Sequence, residues 1–284
     1  QRGAFRLSGS QEAPEHGALL VRSGAHAIAT SAALTYLDAF PARRAAVAPA
    51  IDAALGWLEA QVTQGLVRGG FGIPGPGGID PVPITWASTE HNVDAFFCLA
   101  LAGRLVDPAW TTTADAIGAA MLATLWSETE GRFMQGVDGG VLDEADPLDV
   151  HAWGSLLLLA IGERDRAVRT MSETQLAPFL HEQPWTDGTQ IVGSATAFAA
   201  GGYPGMLPHV WWEGTFSVAY ALRRLGEDAR ADAVLGGCSH VQGADGGFPY
   251  ASLAVPAYDL VTDPSVASTG WGVLASLGRG IFER

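Results

Sequence analysis

Five stretches of this chain open alike, with small or polar residues followed by a run that is apolar on nearly every side. They begin at Ser23-Gly24-Ala25-His26, Ser88-Thr89-Glu90-His91-Asn92, Asp149-Val150-His151-Ala152-Trp153, Trp212-Glu213-Gly214-Thr215 and Ser268-Thr269-Gly270-Trp271. Taken at Gly24, Glu90, His151, Glu213 and Gly270, they stand 66, 61, 62 and 57 residues apart. A period near sixty is too long for a tetratricopeptide or ankyrin unit, but it holds two helices and their connections. The runs Ala95-Phe96-Phe97-Cys98-Leu99-Ala100-Leu101 and Ser155-Leu156-Leu157-Leu158-Leu159-Ala160 are apolar all round, the mark of a buried helix. Between such runs lie helices of a second kind. Residues 42–62 carry Ala45, Val47, Ile51, Ala54, Leu55, Leu58 and Val62 at helical spacing, with Arg43, Arg44, Asp52 and Glu59 between them, and residues 108–126 and 227–236 read similarly. Buried helices inside amphipathic ones predict an all-α fold, an (α/α) toroid of helical hairpins. One domain over 1–284 is expected, with buried helices near 88–104, 149–161, 213–225 and 268–277.

Local signals set the boundaries. Asp107-Pro108 and Asp146-Pro147 each place an N-cap acceptor ahead of a proline at the first helical position. Ser88 is expected to cap the helix that holds Glu90. Glycine-rich turns at 69–72, 136–140 and 245–248 punctuate the hairpins, with short strands beside some of them, and none has the spacing of a dinucleotide or P-loop motif. The glycine- and proline-rich stretch 68–87 reads as a long loop, a frequent site of function on helical scaffolds.

Charge narrows the function. All 16 basic residues are arginine, so lysine Schiff-base, pyridoxal-phosphate and P-loop chemistry are excluded. The net charge of −14 repels phosphate backbones and argues against a nucleic-acid partner. No apolar run is long enough to predict a membrane span. Cys98 and Cys238 make neither a disulfide framework nor a zinc pattern, and both read as buried small hydrophobes. The sequence opens at Gln1 without a leader-type pattern, which leaves cytoplasmic and exported locations both open.

In a toroid the inner helices run the same way, so their N-termini gather at one end of a central funnel. Glu90, His91, Asn92, Asp149, His151, Trp153, Trp212, Glu213 and Trp271 would then converge on one rim. Carboxylates beside tryptophans suit carbohydrate: two carboxylates divide acid and base work while aromatic faces stack on sugar rings. Glu90 and Glu213 are the acid and base candidates, with Asp149 as a third catalytic carboxylate. At least one pair of the three is expected at the 5–10 Å of glycosidase carboxyls. His91, Asn92 and His151 would hold sugar hydroxyls, Trp153, Trp212 and Trp271 would stack, and Tyr250 would bind substrate or cap a loop. Each also has a plain structural use. Glu90 sits where a helix dipole favours a carboxylate, Asp149 fits a capping-box pattern, and the tryptophans can fill the barrel mouth. No cofactor is expected. The HExxH spacing of a zinc site is absent, as is a G-x-S-x-G elbow.

The strings Trp86-Ala87-Ser88-Thr89-Glu90-His91-Asn92-Val93-Asp94-Ala95, Asp146-Pro147-Leu148-Asp149-Val150-His151-Ala152-Trp153-Gly154, Trp212-Glu213-Gly214-Thr215 and Asp245-Gly246-Gly247-Phe248-Pro249-Tyr250-Ala251-Ser252 resemble motifs of bacterial six-hairpin, (α/α)6-toroid glycosidase-like proteins. The resemblance runs from about residue 2 to residue 275. It implies a carbohydrate-active enzyme, a glycoside hydrolase first and a polysaccharide lyase second, acting on an oligo- or polysaccharide. A terpenoid cyclase or isomerase in an aromatic-lined cavity, and a non-catalytic sugar-binding or scaffold module, stand as alternatives. No DxDD string supports the former. Five helix starts against the six of such a toroid leave two expectations. Either a first hairpin lies ahead of Gln1, leaving an apolar flank for a contact that closes the ring, or Ile191–Ala200 supplies the missing inner helix.

Overall fold

The computed structural model describes residues 20–75, 78–187, 190–201, 209–238, 240–254 and 261–283. They divide into two compact units, residues 20–127 with 133–144, and residues 128–132 with 145–283.

The first unit is built on two helical hairpins. Helices α1 (Ser23–Ala39), α2 (Arg44–Glu59), α3 (Thr89–Leu105) and α4 (Ala109–Thr124) follow in order, with α1 packed on α2 and α3, and α3 on α4. The two expected kinds of helix are both present. Every residue of α3 from His91 to Gly103 is buried. Helix α2 buries only Ile51, Ala54, Leu55 and Leu58, and α4 only Ala114, Ile117, Gly118 and Met121, each a single stripe at i, i+3, i+4, i+7. Two small antiparallel sheets flank these helices. In one, Val21–Arg22 pairs with Gly70–Gly75, which pairs with Gly78–Ile84; in the other, Val141–Asp143 pairs with Gly136–Asp138, which pairs with Ala87–Ser88. The stretch 68–87, read as loop from its glycines and prolines, therefore contains a β-hairpin. Pro83 stands where a lost N–H is tolerated, on the edge strand of a short sheet and opposite Phe71 beside a register irregularity.

The second unit repeats the scheme with α5 (Leu148–Ala160), α6 (Arg164–Thr170), α7 (Glu173–Leu176), α8 (Trp212–Leu225), α9 (Asp228–Cys238) and α10 (Val266–Leu277). Helix α8 packs on α5, α9 and α10, and is buried from Gly214 to Leu222. Helix α9 buries Ala231, Val234, Gly237 and Cys238 on one face. Gly226 and Gly278, at φ +82° and +65°, end α8 and α10 in the left-handed conformation that L side chains resist. The segment expected to supply an inner helix, Ile191–Ala200, instead lies largely in the strand Gln190–Phe198, which pairs with Leu180–Asp187 through a register irregularity at Trp185/Thr186. Its Ile-Val and Thr are β-branched residues that favour a pleated surface.

One device recurs at the five helix starts singled out in the sequence. Each begins directly after a strand or bridge residue: α1 after Val21–Arg22, α3 after Ala87–Ser88, α5 after Pro147 (bridged to Gly201), α8 after Trp211 (bridged to Ala251) and α10 after Pro264–Ser265. Backbone pairing thus fixes where each first turn begins, and the first turns carry the polar residues of interest. Helix α10 is not the buried helix expected over 268–277, since it buries only the stripe Ser268, Trp271, Gly272 and Ala275 and leaves Val266, Val273 and Leu277 exposed. Cys98 and Cys238 are buried free thiols. Among the described residues no helix is long and apolar enough to cross a membrane.

Candidate active site

Helix α5 enters from Pro147, which offers no side-chain cap. Asp146 was expected to cap this helix but is used otherwise. Its Oδ1 accepts from Arg132 Nε at 3.1 Å and from His151 Nε2 at 2.7 Å. The first-turn donors are met elsewhere: Leu148 N–H by the Ala200 carbonyl at 2.8 Å, Val150 N–H by Asp149 Oδ1 at 2.9 Å. His151 is fully buried, with Nδ1 3.1 Å from the Thr170 carbonyl oxygen and the Phe179 ring beside it at 5.2 Å. Both ring nitrogens are engaged inside the protein, so the reading of His151 as a holder of sugar hydroxyls gives way to one in which it anchors Asp146 and the first turn of α5.

Helix α8 opens at Trp211-Trp212-Glu213. The Trp212 N–H donates to the Tyr250 carbonyl at 3.0 Å, and the Tyr250 N–H to the Asp263 carbonyl at 2.9 Å. The Tyr250 backbone thus ties a loop to the start of the helix. The Trp212 ring is 1% exposed and packs on Phe216. Trp271 lies between Trp153 (centroids 5.7 Å, 27° between planes) and Phe282 (4.7 Å, 15°), with Tyr220 edge-on at 5.9 Å. Trp153 in turn meets Trp211 edge-to-face at 6.3 Å. The stacking surfaces expected of Trp153, Trp212 and Trp271 are therefore occupied by other protein rings. In a closely packed interior apolar ring faces gain most from one another. Gly214 makes room for this cluster: a Cβ there would lie 2.2 Å from Trp211 Cε3.

Glu213 stands against the Trp271 indole and feels the charge of Asp149. Burial first, and the charge of Asp149 second, lift Glu213 to about 7 against the opposing pull of a hydrogen bond from the Trp271 side chain. Burial likewise lifts Asp149 to about 6, against the pull of the Val150 N–H and of His151. Desolvation and a like charge are the two ways to keep a carboxyl protonated near neutrality. Two carboxyls so shifted can supply the protonated acid and the carboxylate that acid–base chemistry requires.

Glu90, His91 and Asn92 belong to the first unit. Glu90 lies, partly exposed, in the first turn of α3. Ser88 caps that turn as expected, its Oγ accepting from the His91 N–H at 3.2 Å. Burial, and then the nearby Arg22 cation, push His91 down to about 4, so its ring is neutral at physiological pH; it packs on Trp86 at 5.2 Å. Gly24 permits this, since a Cβ there would lie 2.6 Å from His91 Cδ2. Asn92 is fully buried and behaves as a strand residue in side-chain form. Its Oδ1 accepts from Val67 N–H at 2.7 Å, and its Nδ2 donates to the Val67 and Ser88 carbonyls at 3.0 and 2.8 Å. Both amide protons are spent on backbone, so the expected contact with sugar hydroxyls is replaced by a structural one. Among the described residues no group of three or more His, Cys, Asp or Glu is placed to hold a metal ion. Sequence reasoning took Asp146 for a cap, and placed Trp211 at the rim without a role, since its place in the indole cluster depends on Gly214.

No family model matches this chain, and no curated protein matches it. Solved structures do. The chain is similar to a possible member of the GH105 family from Salmonella enterica (13% identity, 87% of this chain and 69% of that one, TM-score 0.62). It is similar to the unsaturated glucuronyl hydrolase of Bacillus sp. GL1, described as responsible for the degradation of glycosaminoglycan (15% identity, 89% and 73%, TM-score 0.61). A D-mannose isomerase is also similar (10% identity, 90% and 72%, TM-score 0.57). At these identities the likeness shows the fold, the (α/α) toroid of helical hairpins seen in glycoside hydrolases.

Proposed function

We propose that the chain is a carbohydrate-active enzyme, a glycoside hydrolase that works with paired carboxyls at the starts of buried helices. The observation that carries this reading is the interaction of Glu213 with Asp149 beside Trp271, with carboxyls raised to about 7 and about 6. In the leading assignment Glu213 holds the proton and gives it to the glycosidic oxygen. Asp149, the more readily ionised partner, serves the oxocarbenium-like centre as base or as nucleophile. Glu90, in the first unit, is the further catalytic candidate. The similar hydrolases support the reading through their fold, and fold alone does not carry function. The similar isomerase marks the second reading to be tested.

The test is turnover on a panel of reducing and non-reducing oligosaccharides, with products resolved by chromatography. A hydrolase releases a new reducing end, whereas an isomerase converts a free monosaccharide at constant chain length. Glu213→Gln and Asp149→Asn should each lower hydrolytic turnover by about 10²–10⁴-fold, the usual size of an acid–base contribution, with the fold intact. Full turnover in both variants would remove these two carboxyls from the chemistry and leave Glu90→Gln to be tested in their place.

A further inference from the structure

Trp153 and Trp211 are 5% and 9% exposed, and the indole N–H of each is buried without a protein acceptor. A buried donor left without an acceptor is costly and rare in a folded protein. These two sit in one cluster. Trp153 stacks on Trp271, the ring that bonds Glu213, and meets Trp211 edge-to-face. Trp211 directs its six-membered-ring edge, Cε3 and Cζ3, at Gly214, which turns the opposite, N–H-bearing edge away from the α8 backbone. The ring faces are covered, and the N–H groups are the part of the cluster whose bonding is unmet.

The acceptor's chemistry follows from the charges around it. Asp149 and Glu213 repel an anion. The chain has no lysine, and every arginine of the second unit from Arg132 to Arg230 is already bonded to a carboxylate or a main-chain carbonyl, while the exposed Arg279 lies beyond the C-terminal end of α10, away from the helix starts. A ring carboxylate would find no uncommitted cation among these, whereas the hydroxyl or ring oxygens of an uncharged sugar are suitable acceptors for indole donors. We infer that the indole N–H groups of Trp153 and Trp211 form a donor pair for the oxygens of a neutral pyranose, held beside Asp149 and Glu213. This rests on the reading of those two carboxyls as the reactive pair, and it sets the expected substrate apart from the glucuronyl group named for one similar enzyme.

The experiment is ¹⁵N-indole NMR of the intact chain, titrated with D-mannose, D-glucose and D-glucuronate, with the indole signals assigned through their proton contacts. The Trp153 and Trp211 signals should move saturably with at least one neutral hexose. The signal of Trp57, packed on His26 in the first unit, serves as the stationary reference. Trp153→Phe and Trp211→Phe keep an aromatic ring and delete the donor, and each should weaken binding of that hexose by about 3–10-fold, the value of one neutral hydrogen bond. Immobile Trp153 and Trp211 signals with every neutral hexose, or a stronger response to D-glucuronate, overturn the inference. The titration itself needs no variant, so it stands even where a Phe variant fails to fold. Hydrolysis that depends on Glu213 while the two indoles stay silent overturns the donor pair and leaves the hydrolase reading intact. Responding indoles in a protein that hydrolyses nothing do the reverse.

Discussion

A carboxyl that binds its proton more tightly in the fold than in the unfolded chain weakens the fold once both states have lost that proton, and Glu213 is such a group. Raised from 4.5 to about 7, it leaves stability untouched below about pH 4.5 and withdraws it as pH climbs through about 7. Glu213→Gln should therefore melt several degrees higher than the unmodified chain at pH 8, by about 2 kcal/mol after allowance for its partial exposure, and equally at pH 4. A difference that persists at pH 4 would trace to packing rather than ionisation. Asp149→Asn removes the like charge but keeps the burial, so the Glu213 titration, followed by ¹³C-carboxyl NMR, should fall only part of the way toward 4.5. At this scale the sequence was half legible. A carboxylate at a helix start announces itself, and Glu213 and Asp149 were both visible. What Asn92 and His151 do was hidden, because their partners, Val67 and Thr170 with Asp146, are set by tertiary packing rather than by neighbouring residues.

Among the elements, apolar pattern alone separates the two kinds of helix, and α3 against α2 is the clear case. The expected 88–104 is observed as Thr89–Leu105, and the stripe on α2 falls on Ile51, Ala54, Leu55 and Leu58. The strands were harder to see. Ile191–Ala200 has the small apolar composition of an inner helix, and only its β-branched residues and the Asp187-Gly188 pair before it speak for a hairpin. Packing between elements yields a prediction whose sign is decided by contact rather than propensity. Gly103 faces α4 so closely that a Cβ would lie 2.1 Å from Thr111 Oγ1 and 2.9 Å from its backbone nitrogen. Alanine is favoured over glycine in a helix by about 1 kcal/mol. Gly103→Ala should nevertheless destabilise, by about 1–3 kcal/mol as overpacking typically does, in chemical denaturation. A stabilised variant would mean that α3 and α4 separate more easily than their burial suggests.

For the molecule as a whole, the sixty-residue recurrence of helix starts was enough to predict the toroid, since a repeated hairpin that is buried on one member and amphipathic on the other has few ways to close. The recurrence could not show how each start is fixed, because the paired residues there come in ones and twos and lie up to 54 residues apart, as in Ala87 with Val137 or Pro147 with Gly201. The same scale carries a consequence of charge. A net charge of −14 produces a field that reaches tens of ångströms at low salt, with a screening length of about 30 Å at 0.01 M and about 8 Å at 0.15 M. An uncharged oligosaccharide does not feel that field, while a uronate-bearing one is repelled until salt screens it. On the hydrolase reading, kcat/KM for a neutral substrate should stay flat between these ionic strengths, and kcat/KM for any acidic substrate should rise with salt, chiefly through KM. A fall with salt for an acidic substrate would reveal a local cationic patch that outweighs the global charge, and would count against a neutral sugar in the site.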